Sequence, residues 1–126
     1  MIPEDVRRLV LTSIPSVPHL EAVMLLQRTP NVERSVDFIA RALYLPATKV
    51  RTVLEELRDS GIFASRVEGE QQHFRYAPRT DELASVVDRL AAAYAADVVG
   101  VTNLIHDAAA KSAQRFADAF KLRKER

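Results

Sequence analysis

Leu45-Pro46 constrains this chain more than any other pair of residues. It falls between two stretches of helical hydrophobic spacing. A residue before proline avoids helical ψ, so one continuous helix is excluded there. Upstream, Ser35 is an N-cap candidate for "VDFIARALYL", with Phe38, Ile39, Ala42 and Leu43 expected inward. Downstream, Val50, Val53, Leu54 and Leu57 recur at i, i+3, i+4 and i+7, which restarts a helix at once over residues 46–60. Gly61 offers the left-handed stop. The next segment, "IFASRVEGEQQHFRYAP", is rich in aromatic and β-branched residues on both sides of "EGE" and predicts a β-hairpin over residues 62–77 that turns at Gly69. Phe74 and Tyr76 alternate with His73 and Arg75, so one face packs and the other meets solvent. Phe63, Phe74 and Tyr76 are expected in the core.

The flanks are helical. Pro3, Glu4 and Asp5 suit a helix's first turn, and Val6, Leu9, Val10 and Ser13 or Ile14 give residues 3–14 one apolar stripe. Pro15 and Pro18 punctuate, with Ser16 as the next N-cap. Leu20, Val23, Met24 and Gln27 then share a face that Leu26 widens. From Asp81 onward the stripe is long: Leu83, Val87, Leu90, Tyr94, Val98, Val101, Ile105, Phe116 and Phe120, with Gly100 the one interior weak point. Some 40 residues in one helix would extend about 60 Å. A compact chain of this size spans only about 35 Å. The segment must therefore fold back near Gly100 or bury its stripe on a second copy. A homodimer is the expected solution, with the stripe as its interface and "KLRKER" as a solvated end.

The order of elements and the residues of the break resemble the winged helix-turn-helix superfamily. Between Val36 and Glu55, Ile39, Leu43, Leu45, Val50 and Val53 fall where the helix-turn-helix pattern has apolar residues, and Ala40 where it has a small one. Tyr44 departs from it, standing at the turn where glycine is favoured, which implies a looser or longer turn. The chain is similar overall to small bacterial transcriptional regulators of the MarR, ArsR and PadR type. That resemblance implies a mainly α fold with a small β-hairpin: a winged helix-turn-helix domain over residues 1–79, and a C-terminal helical dimerisation segment over residues 80–126. It implies double-stranded DNA as partner, with the recognition helix in the major groove and the hairpin on the adjacent backbone or minor groove. The groove-facing set would be Pro46, Ala47, Thr48, Lys49, Arg51 and Thr52. Arg51 has the fork for a guanine edge, whereas Thr48 and Lys49 suit phosphate. Arg66, His73 and Arg75 would reach out from the wing. Glu55, Glu56 and Asp59 would lie at or beyond the rim, Glu55 pairing with Arg51 or Arg58.

Composition narrows the classes. The 126 residues carry 18 basic and 17 acidic side chains for a net charge of +1, so a nucleic-acid reading rests on where charges sit, not on their sum. With no cysteine, disulfides and thiolate metal sites are excluded. His19, His73 and His106 are scattered, and Gly61, Gly69 and Gly100 make no phosphate-cradling loop. No enzyme, metal or cofactor is expected. "LAAAYAA" is the longest apolar run, too short for a bilayer, and the N-terminus lacks a signal peptide's apolar core. A bacterial, cytoplasmic setting is the expectation. The alternative within the same fold is a protein-binding adaptor that does not touch DNA. A small-molecule effector is compatible with either, but no residue pattern names one.

Overall fold

The computed structural model describes residues 2–124, without the side chains of Phe120 and residues 122–124. The Phe120 expected at a dimer contact thus lies outside the described side chains. Nine elements follow in order: α1 Glu4–Ser13, α2 Val17–Gln27, β1 Arg34–Ser35, α3 Val36–Leu43, α4 Ala47–Asp59, β2 Phe63–Glu68, β3 Gln71–Tyr76, α5 Asp81–Ala96 and α6 Val98–Lys124.

Side-chain caps fix three of the helix starts. Ser16, Ser35 and Thr80 each accept a hydrogen bond from the backbone amide three residues on, at His19, Phe38 and Leu83. Pro18 sits inside the first turn of α2, where its missing N–H costs nothing, so it opens that helix and does not delay it. Two helix ends are built alike. Gly61 (φ +87°) closes α4, its N–H bonding to Arg58 O while Ile62 N–H reaches Leu57 O. Tyr44 (φ 57°, ψ 43°) closes α3, its N–H bonding to Arg41 O while Leu45 N–H reaches Ala40 O. Both are left-handed caps in which an apolar residue past the cap meets one in the last turn. The looser turn expected at Tyr44 is not formed: tyrosine itself adopts the conformation that glycine would hold, and the turn stays tight.

β2 and β3 pair antiparallel from Phe63↔Tyr76 to Glu68↔Gln71, turning through Gly69 and Glu70. A third strand, not foreseen, joins them. Arg34–Ser35 pairs with β3 at Phe74 and His73, giving the sheet order β1-β3-β2.

One core runs through the molecule. Leu20, Val23 and Leu26 of α2 meet Ile39 of α3, Val50, Leu54 and Leu57 of α4, and Phe74 of the sheet, all essentially inaccessible. Each such side chain contributes roughly 1.5–3 kcal/mol when fully removed from water. Phe63 and Tyr76 join them as expected. On α3 the inward set is Val36, Ile39 and Ala40; Phe38 and Ala42 point outward, against expectation. The eight-residue helix is rotated so that Val36, which caps the end of the core, turns in.

The C-terminal segment breaks at Asp97, three residues before Gly100. Asp97 leaves helical geometry (φ −151°, ψ 77°), and its Oδ1 accepts the Gly100 N–H at 2.9 Å, so the aspartate ends α5 and caps α6. A Cβ at Gly100 would run into that carboxylate, so the absence of a side chain there admits the cap. α6 then packs on α5 and α1, and α1 on both, with an Arg89–Asp5 ion pair tying α1 to α5. The Arg89 hydrogen bond holds the Asp5 carboxyl below the usual range. This corrects the reading of the stripe. Val87, Leu90, Val101 and Ile105 are at 0% exposure inside the chain's own core. Leu83 and Tyr94 are half-buried, and only Val98 and Phe116 of the described set stand exposed. Beyond Ala108 every described α6 side chain is exposed.

Candidate nucleic-acid interface

α4 is the element on which the site rests. Its buried face is Val50, Val53, Leu54 and Leu57. Helical spacing places Thr48, Thr52, Glu55 and Asp59 on the opposite stripe. The flanks diverge. Arg58 Nη1 reaches Ser65 Oγ on β2 at 3.4 Å, and Arg51 lies in a crevice formed by Ser35, Asp37 and the wing residues Glu70 to Gln72. On the other flank, Glu56 Oε1 faces His19 Nε2 of α2 at 3.5 Å.

The two ends of α4 differ in chemistry. Pro46 offers no side-chain cap, so the first amides of the helix remain open, at the positive end of its dipole. Thr48, Lys49, Arg51 and Thr52 are all exposed around that end, and among the described residues neither Lys49 nor Arg51 has a salt-bridge partner. The acids lie in the later turns and are engaged. Arg58 lies 4.0 Å from Glu55 and 3.2 Å from Asp59, so Arg58, and not Arg51, is the partner of Glu55.

The wing residues converge on an acid that the sequence pattern did not single out. Arg66 donates to Glu33 Oε2 at 2.9 Å and to Glu68 Oε2 at 3.1 Å. His73 sits opposite Arg66 in the ladder, and Arg75 opposite Ala64, so the three share the sheet's outer face. The Arg66 hydrogen bond, with smaller help from His73 and Arg75, lowers the Glu33 pKa; the two carboxylates raise that of Arg66. A phosphate approaching Arg66 therefore competes with two carboxylates already in place. Arg75 Nη1 is buried without a hydrogen-bond partner. No signal in the local sequence could have joined Glu33 to residues more than thirty positions away.

Two aromatics of the helix-turn-helix, Phe38 on α3 and Tyr44 at its turn, are exposed. Tyr44 is 93% exposed at the turn, and Phe38 carries the Arg34 guanidinium 4.6 Å above its ring. The signal for Tyr44 was its place in the turn, where glycine was expected. Among the described residues no group of His, Asp or Glu is placed to hold a metal ion, and no single helix is long and apolar enough to cross a membrane.

Helix, short strand, helix, tight turn, helix and two-stranded wing together make a winged helix-turn-helix fold, with α1, α5 and α6 added around it. Solved structures share it. The homodimeric winged helix-turn-helix DNA-binding domain (fragment 1–100) of a possible ArsR-family transcriptional regulator from Mycobacterium bovis superposes with a TM-score of 0.55 at 24% identity, over 75% of this chain and 82% of that one. A possible transcriptional regulatory protein (fragment 1–100) from the same organism gives 0.52 at 26% identity, over 69% and 91%. No protein-family model matches the chain. No curated protein matches it either.

Proposed function

We propose that this chain is a DNA-binding transcriptional regulator that works as a homodimer and inserts α4, N-terminus first, into the major groove. The observation that carries the reading is the division of α4. Its open, uncapped end presents Thr48, Lys49, Arg51 and Thr52, with neither cation ion-paired among the described residues, and its acids are confined to later turns, where Glu55 and Asp59 share Arg58. Acids near the far end of a recognition helix sit away from the phosphates, so their cost to binding is small at moderate salt. Arg51 reads a base edge, Lys49 and the first amides of α4 hold phosphate, and the wing contributes through Arg66, His73 and Arg75 only where DNA displaces carboxylates. The names of the M. bovis domains, a DNA-binding domain and a transcriptional regulatory protein, support the same class. Two copies would present two such helices to a symmetric operator.

The adaptor reading draws on one observation of its own: the stripe of α4 directly opposite the core ends in Glu55 and Asp59, and Arg66 is neutralised. Fluorescence anisotropy on DNA from the gene's own upstream region and on scrambled DNA, across a salt series, separates the two. A regulator gives tighter binding to the upstream DNA, with log affinity falling by about 0.9 per phosphate contact for each unit of log salt. Arg51→Ala should cost about 1–3 kcal/mol and relax sequence preference, whereas Lys49→Ala should weaken both DNAs alike and reduce the slope by about 1. Absence of binding at low salt rejects the regulator and leaves the acidic stripe as a protein-binding surface.

A further inference from the structure

Where the helix-turn-helix meets α5 there is a concavity of about 370 Å³ that no described side chain fills. Met24 and Leu25 of α2 and Leu43 of α3 supply its apolar surface, Glu21 a carboxylate, and Tyr94 and the exposed Tyr44 border it. Its lining is mixed, polar and apolar in nearly equal part, and a cleft of this size can hold a small molecule. Glu21, Met24 and Leu25 fall at i, i+3 and i+4 on α2 and so share one face. Glu21 is half-buried and, among the described residues, has no ion pair. Arg28 also borders the cleft, but it is exposed, and its long stem lets the guanidinium remain in water.

The lining selects a charge. A half-buried carboxylate without an ion-pair partner among the described residues favours a cation, and nearby phenol rings can add to that preference where their faces meet it. Methionine adapts to varied apolar shapes. We propose that this cleft binds a small organic cation with a flat apolar body, such as an arylalkyl amine, its ammonium against Glu21 and its body between Tyr44 and Tyr94. Occupancy acts on α4 through Tyr44, the left-handed residue from which the chain turns out of α3 into α4. That consequence rests on the DNA-binding reading; the binding itself does not.

The test is an NMR titration of the full chain, with its tyrosines labelled, near neutral pH. The probes are 1-naphthylmethylammonium, the neutral 1-naphthylmethanol and the anionic 1-naphthoate. There are three tyrosines, and the third, Tyr76, is 7% exposed in the core and serves as an internal reference. The ammonium should shift the Tyr44 and Tyr94 rings saturably and leave Tyr76 in place. The alcohol should bind about tenfold more weakly, as should the ammonium to Glu21→Gln. No saturable shift, equal or tighter binding of the alcohol or the naphthoate, or an unchanged affinity of Glu21→Gln overturns the site. Anisotropy with and without the ammonium then reads the coupling, expected to change DNA affinity by about fivefold or more. Ligand binding with no DNA binding at all rejects the regulator and retains the cleft. Both binding events with no effect on each other reject the action through Tyr44.

Discussion

Tyr44 occupies a conformation that costs an L-residue with a β-carbon about 1–2 kcal/mol, and at 93% exposure it recovers almost nothing from packing. Tyr44→Gly should therefore raise the unfolding free energy by about 0.5–1 kcal/mol in urea titrations, after allowance for glycine's freer unfolded chain. Loss of stability instead would mean that the ring has a contact worth more than the strain. His19 is the other telling residue. At 5% exposure its Nδ1 lies within hydrogen-bond distance of Ser16 Oγ, which also accepts the His19 amide, and its Nε2 faces Glu56 Oε1 at 3.5 Å. Burial lowers its pKa, and the attraction of Glu56 only partly offsets this. The sign follows. The unfolded chain binds the proton more readily, so the contribution of this site is complete above about pH 6.5 and is lost as pH falls toward the depressed folded value. Urea midpoints should drop between pH 7 and 5, and His19→Gln should flatten that drop. An equally steep profile in the variant would assign the effect to another group.

At the scale of elements, the α5–α6 junction is a single device made of Asp97 and Gly100. Removing the cap by Asp97→Ala should cost about 1 kcal/mol. Gly100→Ala raises helix propensity by up to about 1 kcal/mol but drives its Cβ into the capping carboxylate, so in the natural chain the gain is cancelled or reversed. In the Asp97→Ala background the same change should stabilise. Thermal unfolding of the four proteins gives the coupling directly, and additive effects would show that the cap does not depend on the glycine. Legibility in the sequence followed the same division between local and distant causes. Ser16, Ser35 and Gly61 mark element ends through bonds made within a few residues, so the sequence discloses them. Strand β1 exists only because β3 pairs with it, and nothing in Arg34-Ser35 announces that partner. The rotation of α3 that exposes Phe38 was likewise hidden, because a helix of only two turns leaves its inward face to be chosen by its neighbours.

For the whole molecule, the length of residues 81–124 is met by a fold-back at Asp97, three residues before Gly100. The first part of the stripe folds onto α1 and closes the core, which periodicity cannot distinguish from a face awaiting a partner, since both need the same apolar spacing. The remainder of α6 extends past that core with Phe116 at 75% exposure. In the proposed dimer, Phe116 on these projecting turns is the exposed apolar side chain that a second copy would cover. Sedimentation equilibrium should then give twice the 14.1 kDa chain mass. Phe116→Glu should return the monomer with an unchanged circular dichroism spectrum. Val101→Glu, at a fully buried position, should instead unfold the chain. In the proposed dimer two copies would each place an α4 on DNA, so their phosphate contacts would add in the salt dependence. The monomeric Phe116→Glu chain should therefore bind with about half the slope of the wild type, and most of the preference for a symmetric site should go with it. A wild-type chain that sediments as a monomer would remove the homodimer, and an undiminished slope in the variant would mean that each copy meets DNA without the other.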